Sequence, residues 1–160
     1  MGICGANQNK QMHLHSLVYG HPIALHIDPI EKKPLYHFLP ASKALSLGTI
    51  GCNFRCSFCQ NWSISQAKSV REEPTIDPQA IIEKALRYEC ASIAYTYNEP
   101  TIFYPYAKEI ATLAHKHGIK NIFVTNGYAS SEVIADMQGL IDAVNIDNKS
   151  FNPEYYKASL

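Results

Sequence analysis

Ala44-Leu45-Ser46-Leu47-Gly48-Thr49-Ile50-Gly51-Cys52-Asn53-Phe54-Arg55-Cys56-Ser57-Phe58-Cys59 is the stretch from which the fold is read. Residues 44–50 form a short apolar run, the pattern of a buried strand. The run passes through Gly51 into a loop carrying three cysteines within eight residues. Thiols packed this closely suit metal ligation better than disulfide pairing. A structural zinc takes four ligands, and a cubane iron–sulfur cluster has four irons to satisfy. Three protein ligands therefore leave one metal position open, and an open position is where chemistry occurs. In parallel α/β folds ligands collect where strands end, so a strand running into this loop predicts that architecture.

The pattern repeats downstream. Asp77-Pro78 reads as a helix N-cap with proline at the first helical position, and Ile81, Ile82, Ala85 and Leu86 follow at helical spacing. Residues 92–97 are β-branched and aromatic, the composition of a second strand. Ala107, Ile110, Ala111 and Ala114 share a helical face that Gly118 terminates. Residues 121–125 read as a third strand. Ser130 or Ser131 caps a helix with Ile134, Met137 and Ile141 on its face, and residues 143–147 read as a fourth strand. Asn152-Pro153 opens another helix, which Leu160 cuts short after about two turns. Alternating strands and helices imply parallel strands with helices covering them. The expected fold is α/β, with parallel βα repeats forming part of a TIM-like barrel that is incomplete at the C-terminus. A small flavodoxin-like open sheet is the alternative. Such a half-barrel would expose the edges of its first and fourth strands.

Residues 1–40 are polar and weakly periodic and are expected to form an extended leader before a core domain over 41–160. The 160 residues fit a single domain, and their 46% hydrophobic content is ordinary for a globular chain. A formal net charge of zero gives no electrostatic footprint for nucleic acid or an anionic membrane. No apolar run approaches the roughly 20 residues of a membrane span, and the N-terminus lacks the pattern of a secretory signal. A cytoplasmic location is the expectation, and there cysteines stay reduced. Five cysteines, an odd count, suit a cluster better than a disulfide framework.

Each predicted strand ends in a polar loop, and parallel topology brings the four loops to one rim. They carry Cys52, Cys56 and Cys59; Asn98 and Glu99; Asn126; and Asp147 and Lys149. The cysteines read as ligands of a [4Fe-4S] cluster with one free iron. The competing readings are zinc completed by His37 or Cys90, and buried core thiols. Outside that triad each residue has a plainer explanation. Glu99 could be a solvated loop carboxylate, extended by Pro100 behind it. Asn126-Gly127 could be a tight turn, and Asp147 with Lys149 a surface ion pair. His115 and His117 read as structural partners of a helix C-terminus. Trp62 could pack beside the cluster or in the core, and Tyr95, Tyr97 and Tyr104 read as packing residues.

Cys52-x3-Cys56-x2-Cys59, with Phe58 before the last cysteine, resembles the signature loop of the radical S-adenosylmethionine (SAM) superfamily. Gln60-Asn61-Trp62, the upstream Asp28-Pro29-Ile30-Glu31-Lys32-Lys33-Pro34-Leu35-Tyr36-His37-Phe38 and the downstream Tyr97-Asn98-Glu99-Pro100-Thr101 look like the AmmeMemoRadiSam-system branch. Those enzymes are relatives of pyruvate formate-lyase activating enzyme. The resemblance implies a partial (β/α)6 barrel in which Cys52, Cys56 and Cys59 bind three irons and SAM chelates the fourth. It further implies reductive cleavage of SAM to a 5′-deoxyadenosyl radical that abstracts hydrogen from a substrate. An electron donor such as flavodoxin or ferredoxin is implied as partner. Many members carry Gly-Gly-Glu after the second strand, where this chain has Tyr97-Asn98-Glu99, so Glu99 and Asn98 inherit a contact to the SAM amino group. Asn126 matches a strand-three position near SAM. Asp147-Asn148-Lys149 resembles Asp-Leu-Lys, which puts Asp147 and Lys149 near the SAM carboxylate or a cation. A glycyl-radical-enzyme activase and a non-catalytic zinc- or cluster-binding fragment are the alternative functions.

Overall fold

A computed structural model of the chain describes residues 1–67 and 74–159. A hairpin of β1 (Asn7–Lys10) and β2 (His13–Ser16) comes first, followed by β3 (Ala24–Pro29) and a 3₁₀ turn over Ile30–Lys32. Next come β4 (Lys43–Gly48), a single helical turn α1 (Trp62–Ser65), α2 (Pro78–Arg87) and β5 (Ser92–Tyr95). A 3₁₀ turn over Pro100–Phe103 leads into α3 (Tyr104–Lys116), then β6 (Lys120–Thr125) and α4 (Ser131–Asp136). The strand β7 (Ala143–Ile146) and helix α5 (Pro153–Ser159) complete the order.

The central sheet runs β3-β4-β5-β6-β7. Strands β4 to β7 are mutually parallel, as the alternation of elements predicts, and β3 is antiparallel to β4. The expected exposed edge of the first parallel strand is therefore corrected: β3 covers it and becomes an outer strand itself. Residues 24–29 of the N-terminal segment pair along β4, and among the described residues only β7 ends the sheet on the parallel side.

Local chemistry accounts for the helix starts. The Asp77 carboxylate accepts from the Gln79 amide at 2.7 Å, and Pro78 occupies the first turn of α2, where no amide donor is needed. Ser130 caps α4 through the Val133 amide. α4 is shorter than its apolar spacing suggests, because Met137 already forms its C-cap; Met137 and Ile141 still pack against the core. α3 ends at His117, and Gly118 follows at φ +71°, the expected left-handed C′ residue.

Strand alternation divides the sheet into two unlike faces. Leu45, Leu47, Ile93, Tyr95 and Phe123 share one face, fully buried with Ile81, Ile82 and Ala85 of α2 and Ala107, Ile110, Ala111 and Ala114 of α3. Asn121 lies on the same face, and its amide donates to the Ala111 carbonyl at 3.0 Å while its oxygen accepts from the Tyr95 hydroxyl at 3.1 Å. The opposite face is built of smaller side chains. Ala44, Ala94 and Ile122 pack there with Ile30 from the 3₁₀ turn. Small residues on that face leave room above it. No helix among the described residues is long and apolar enough to cross a membrane.

Candidate active site

The strand β4 reaches the cysteine loop through a backbone that admits only glycine at position 51. Gly51 has φ +86°, and a Cβ there would lie 2.1 Å from the Cys4 carbonyl oxygen. The N-terminal segment is thus packed against the entrance of the loop, and the Arg55 guanidinium donates to the Ile3 carbonyl at 3.4 Å. Asn98 holds the same entrance from the other side. Its amide donates to the Gly51 carbonyl at 2.8 Å and the Thr49 hydroxyl at 3.2 Å, and its oxygen accepts from the Thr49 amide.

Cys52, Cys56 and Cys59 are all free thiols. Burial pushes the Cys52 thiol up from its ordinary value. Burial also raises Cys56, against the opposing charge of Lys149. The Cys59 sulfur lies 3.3 Å from the Ser65 hydroxyl. Loop and neighbours are tied at several points: Asn61 donates to the Tyr97 carbonyl at 2.7 Å, Asn126 to the Asn53 oxygen at 2.8 Å, and Gln66 to the Phe54 carbonyl at 3.3 Å. Phe54 packs beside Tyr128 and Tyr156, and Phe58 beside Tyr155, so α5 lies along the loop.

Glu99 is 2% exposed, not the solvated loop residue its type suggests. Its carboxylate accepts from the Thr125 hydroxyl at 2.8 Å, the Asn126 amide at 2.8 Å and the Thr101 amide at 3.1 Å. It caps the 3₁₀ turn and joins the end of β5 to the end of β6. Its backbone is extended ahead of Pro100, as the proline predicts. Asn126-Gly127 forms the expected turn, with Gly127 at φ +74°. Asp147 and Lys149 form an ion pair, and the Lys149 ammonium lies 5.6 Å from the centre of the Phe58 ring.

One cavity of about 1160 Å³ gathers these groups. Cys52, Cys56, Cys59, Asn98, Glu99, Asn126, Asp147 and Lys149 all line it, contributed by the loops after four parallel strands. His37 and Cys90, the candidates to complete a zinc site, do not line it; Cys90 is buried in the core. Trp62 is 65% exposed and so belongs to neither the core nor the wall. His115 contacts the Asp142 carboxylate at 2.8 Å at the far end of the sheet.

The donor set fits an iron–sulfur cluster. Thiolates are the ligands such clusters take. Among the described residues no group of three His, Cys, Asp or Glu side chains converges tightly enough to hold a single metal ion. Three free thiols line the open cavity.

The cavity also has a wall that sequence reading left without a role. Asp28, 8% exposed, accepts from Lys33 at 2.8 Å, from the Tyr97 hydroxyl at 3.0 Å and from Lys32 at 3.2 Å. Burial pushes the Asp28 carboxyl up, but the lysine hydrogen bonds and charge outweigh it and hold the group well below the usual carboxylate range. Tyr97 is pushed up to about 12 by burial and by the Asp28 charge. The available signal was the Asp28-to-Lys32 spacing of four residues; the Tyr97 contact had none, because it spans 69 residues.

The sequence model of the radical SAM superfamily matches residues 47–159. An uncharacterized protein of Methanocaldococcus jannaschii is 43% identical over 158 residues. That match covers 98% of this chain and 46% of the archaeal protein, so the chain spans about half the length of the curated relative it matches.

Proposed function

We propose that this chain, which belongs to the radical SAM superfamily, binds a [4Fe-4S] cluster through Cys52, Cys56 and Cys59 and holds SAM at the fourth iron. The observation that carries the reading is the convergence of three free thiols with the loops of three further parallel strands on one cavity. When bound, the cluster and SAM supply one-electron chemistry: reductive cleavage of SAM and hydrogen abstraction from a substrate.

The protein's part is to bind, orient and exclude water. Asn98 fixes the loop entrance through the Gly51 carbonyl. Glu99 holds the Asn126 amide in place, and Asn126 in turn braces Asn53 inside the cysteine loop. Asp147 and Lys149 present a carboxylate and an ammonium to the same cavity, the charges suited to the amino and carboxylate groups of an amino-acid moiety. Aromatic side chains of α5 lie against Phe54 and Phe58 of the loop.

The parallel sheet with a small-residue inner face supports a partial (β/α)6 barrel as the setting. The upstream Asp28–Phe38 stretch supports the AmmeMemoRadiSam branch. A flavodoxin or ferredoxin would supply the electron.

Anaerobic reconstitution with iron and sulfide tests the reading. About four irons per chain are expected, with matching sulfide; one zinc and no sulfide would overturn it. The reduced protein with SAM is expected to release 5′-deoxyadenosine. Cys56→Ala is expected to abolish cluster uptake, and retention of four irons by that variant would remove the triad from its role.

A further inference from the structure

The cavity is larger than the roughly 300–1,000 Å³ of a typical single-ligand site. Its wall away from the cysteines is charged, and it is built at some cost. Lys33 is 3% exposed, yet among the described residues Asp28 is the only acceptor of a hydrogen bond from its ammonium. An ammonium has three donors, and a buried one without partners for them is unfavourable. The Tyr97 ring flanks it, its centre 5.2 Å from the Lys33 nitrogen, and Lys33 and Lys32 both line the cavity. Lys32 adds a second ammonium on the other carboxylate oxygen of Asp28. Two cations and one carboxylate leave the wall with an excess positive charge.

Tyr97 reaches this wall only by a strained backbone. Alternation along β5 would set it on the helix-covered face with Tyr95. Its φ of +73° turns the ring the other way, over Asp28 and against His26, at 5.9 Å between ring centres. A left-handed conformation is unfavourable for an L-residue other than glycine. Strain of this kind collects at ligand sites, where surrounding contacts over-determine it. The Tyr97 carbonyl meanwhile accepts from Asn61, two residues beyond Cys59, so the same residue touches both ends of the cavity.

We propose that Lys33 and Lys32, held by Asp28 beside Tyr97, bind an anionic oxygen group, a carboxylate or a phosphate, on the substrate that reacts at the cysteine end of the cavity. Asp28 is the positioning residue: all its contacts are donors, and it sets the two ammoniums side by side. The free donors of the lysines receive the anion. The assignment of this anion to the reacting substrate rests on the function proposed above.

The test uses cluster-free protein, so that it does not depend on that function. Inorganic phosphate and acetate are titrated separately at constant ionic strength and followed by amide NMR. Saturable shifts are expected at Asp28, Lys33 and Tyr97 with at least one anion; which anion acts distinguishes phosphate from carboxylate recognition. Lys33→Met is expected to weaken binding about tenfold or more, and Lys33→Arg to retain it. Absence of saturable shifts in the wild-type chain, or shifts confined to exposed lysines elsewhere, would overturn the proposal, whether or not Lys33→Met folds. Equal binding by a folded Lys33→Met would do the same. Iron content is assayed on separate samples. Iron uptake without anion shifts overturns the anion site alone, whereas anion shifts without iron uptake overturn the proposed function and keep the site.

Discussion

At Gly51 the constraint on a single residue can be stated in distances. With φ at +86° and the Cys4 carbonyl oxygen 2.1 Å from where a Cβ would stand, a methyl group would both strain the backbone and displace the N-terminal segment. Gly51→Ala is expected to lower stability by about 2 kcal/mol or more, combining left-handed strain with overlap. Urea unfolding measures it, and an unchanged midpoint would mean that residues 1–6 do not pack against the loop. The place of the cysteines, Glu99 and Asn126 along one cavity was legible because chemistry-bearing types stand just after apolar runs. Their partners were not. Asn126 meets Asn53 across 73 residues, and Asn98 meets Thr49 across 49. Tyr97 reads as a packing residue from its type, and its backbone at φ +73° is what sequence does not show.

Elements were legible where their ends carry local signals. Asp77-Pro78 marks the start of α2 by a bond that its own residues make. Asp77→Ala is expected to cost about 1 kcal/mol, with Asp77→Asn retaining most of the stability. Amide exchange in the first turn of α2, together with the urea midpoint, reads the effect; equal loss in both variants would assign it to charge and not to the cap. The β1–β2 hairpin gave no such signal. Its two-residue turn places Gln11 and Met12 at φ +51° and +69°, positions where Asn and Gly are the usual marks. β3 was equally hidden. His26 and Asp28 alternate with apolar Leu25 and Ile27, and β4 pairs with the strand along six residues up to Pro29.

On the scale of the whole molecule, two carboxylates anchor opposite ends of the sheet. Asp28 holds the cavity wall. Asp142 accepts from His115, Lys120 and the Asn121 amide, each at 2.8 Å, at the start of β7. Burial pushes Asp142 up, yet these partners outweigh it and keep its pKa below the ordinary value. Both groups are therefore lowered in the folded state relative to the unfolded chain. Their contribution to stability is complete above about pH 4, the unfolded carboxylate range, and is lost as pH falls through the lower folded values. The thermal midpoint is expected to fall steeply below about pH 4. Asp142→Asn is expected to be less stable than wild type at pH 7, with the difference shrinking at about pH 3. A difference independent of pH would show that the Asp142 charge does not act in this way.

The sequence by itself determined the alternating elements, the helix caps, the cysteine triad and its expected company of loop residues. Those features rest on contacts within a few residues, where spacing and residue type decide the outcome. Tertiary structure alone decided which face of the sheet stays open, that β3 covers the edge of β4, and that Asp28, Lys33 and Tyr97 meet above small inner side chains. Each of those depends on packing and hydrogen bonds between distant segments, and a strained φ at Tyr97 is stable only because such contacts surround it.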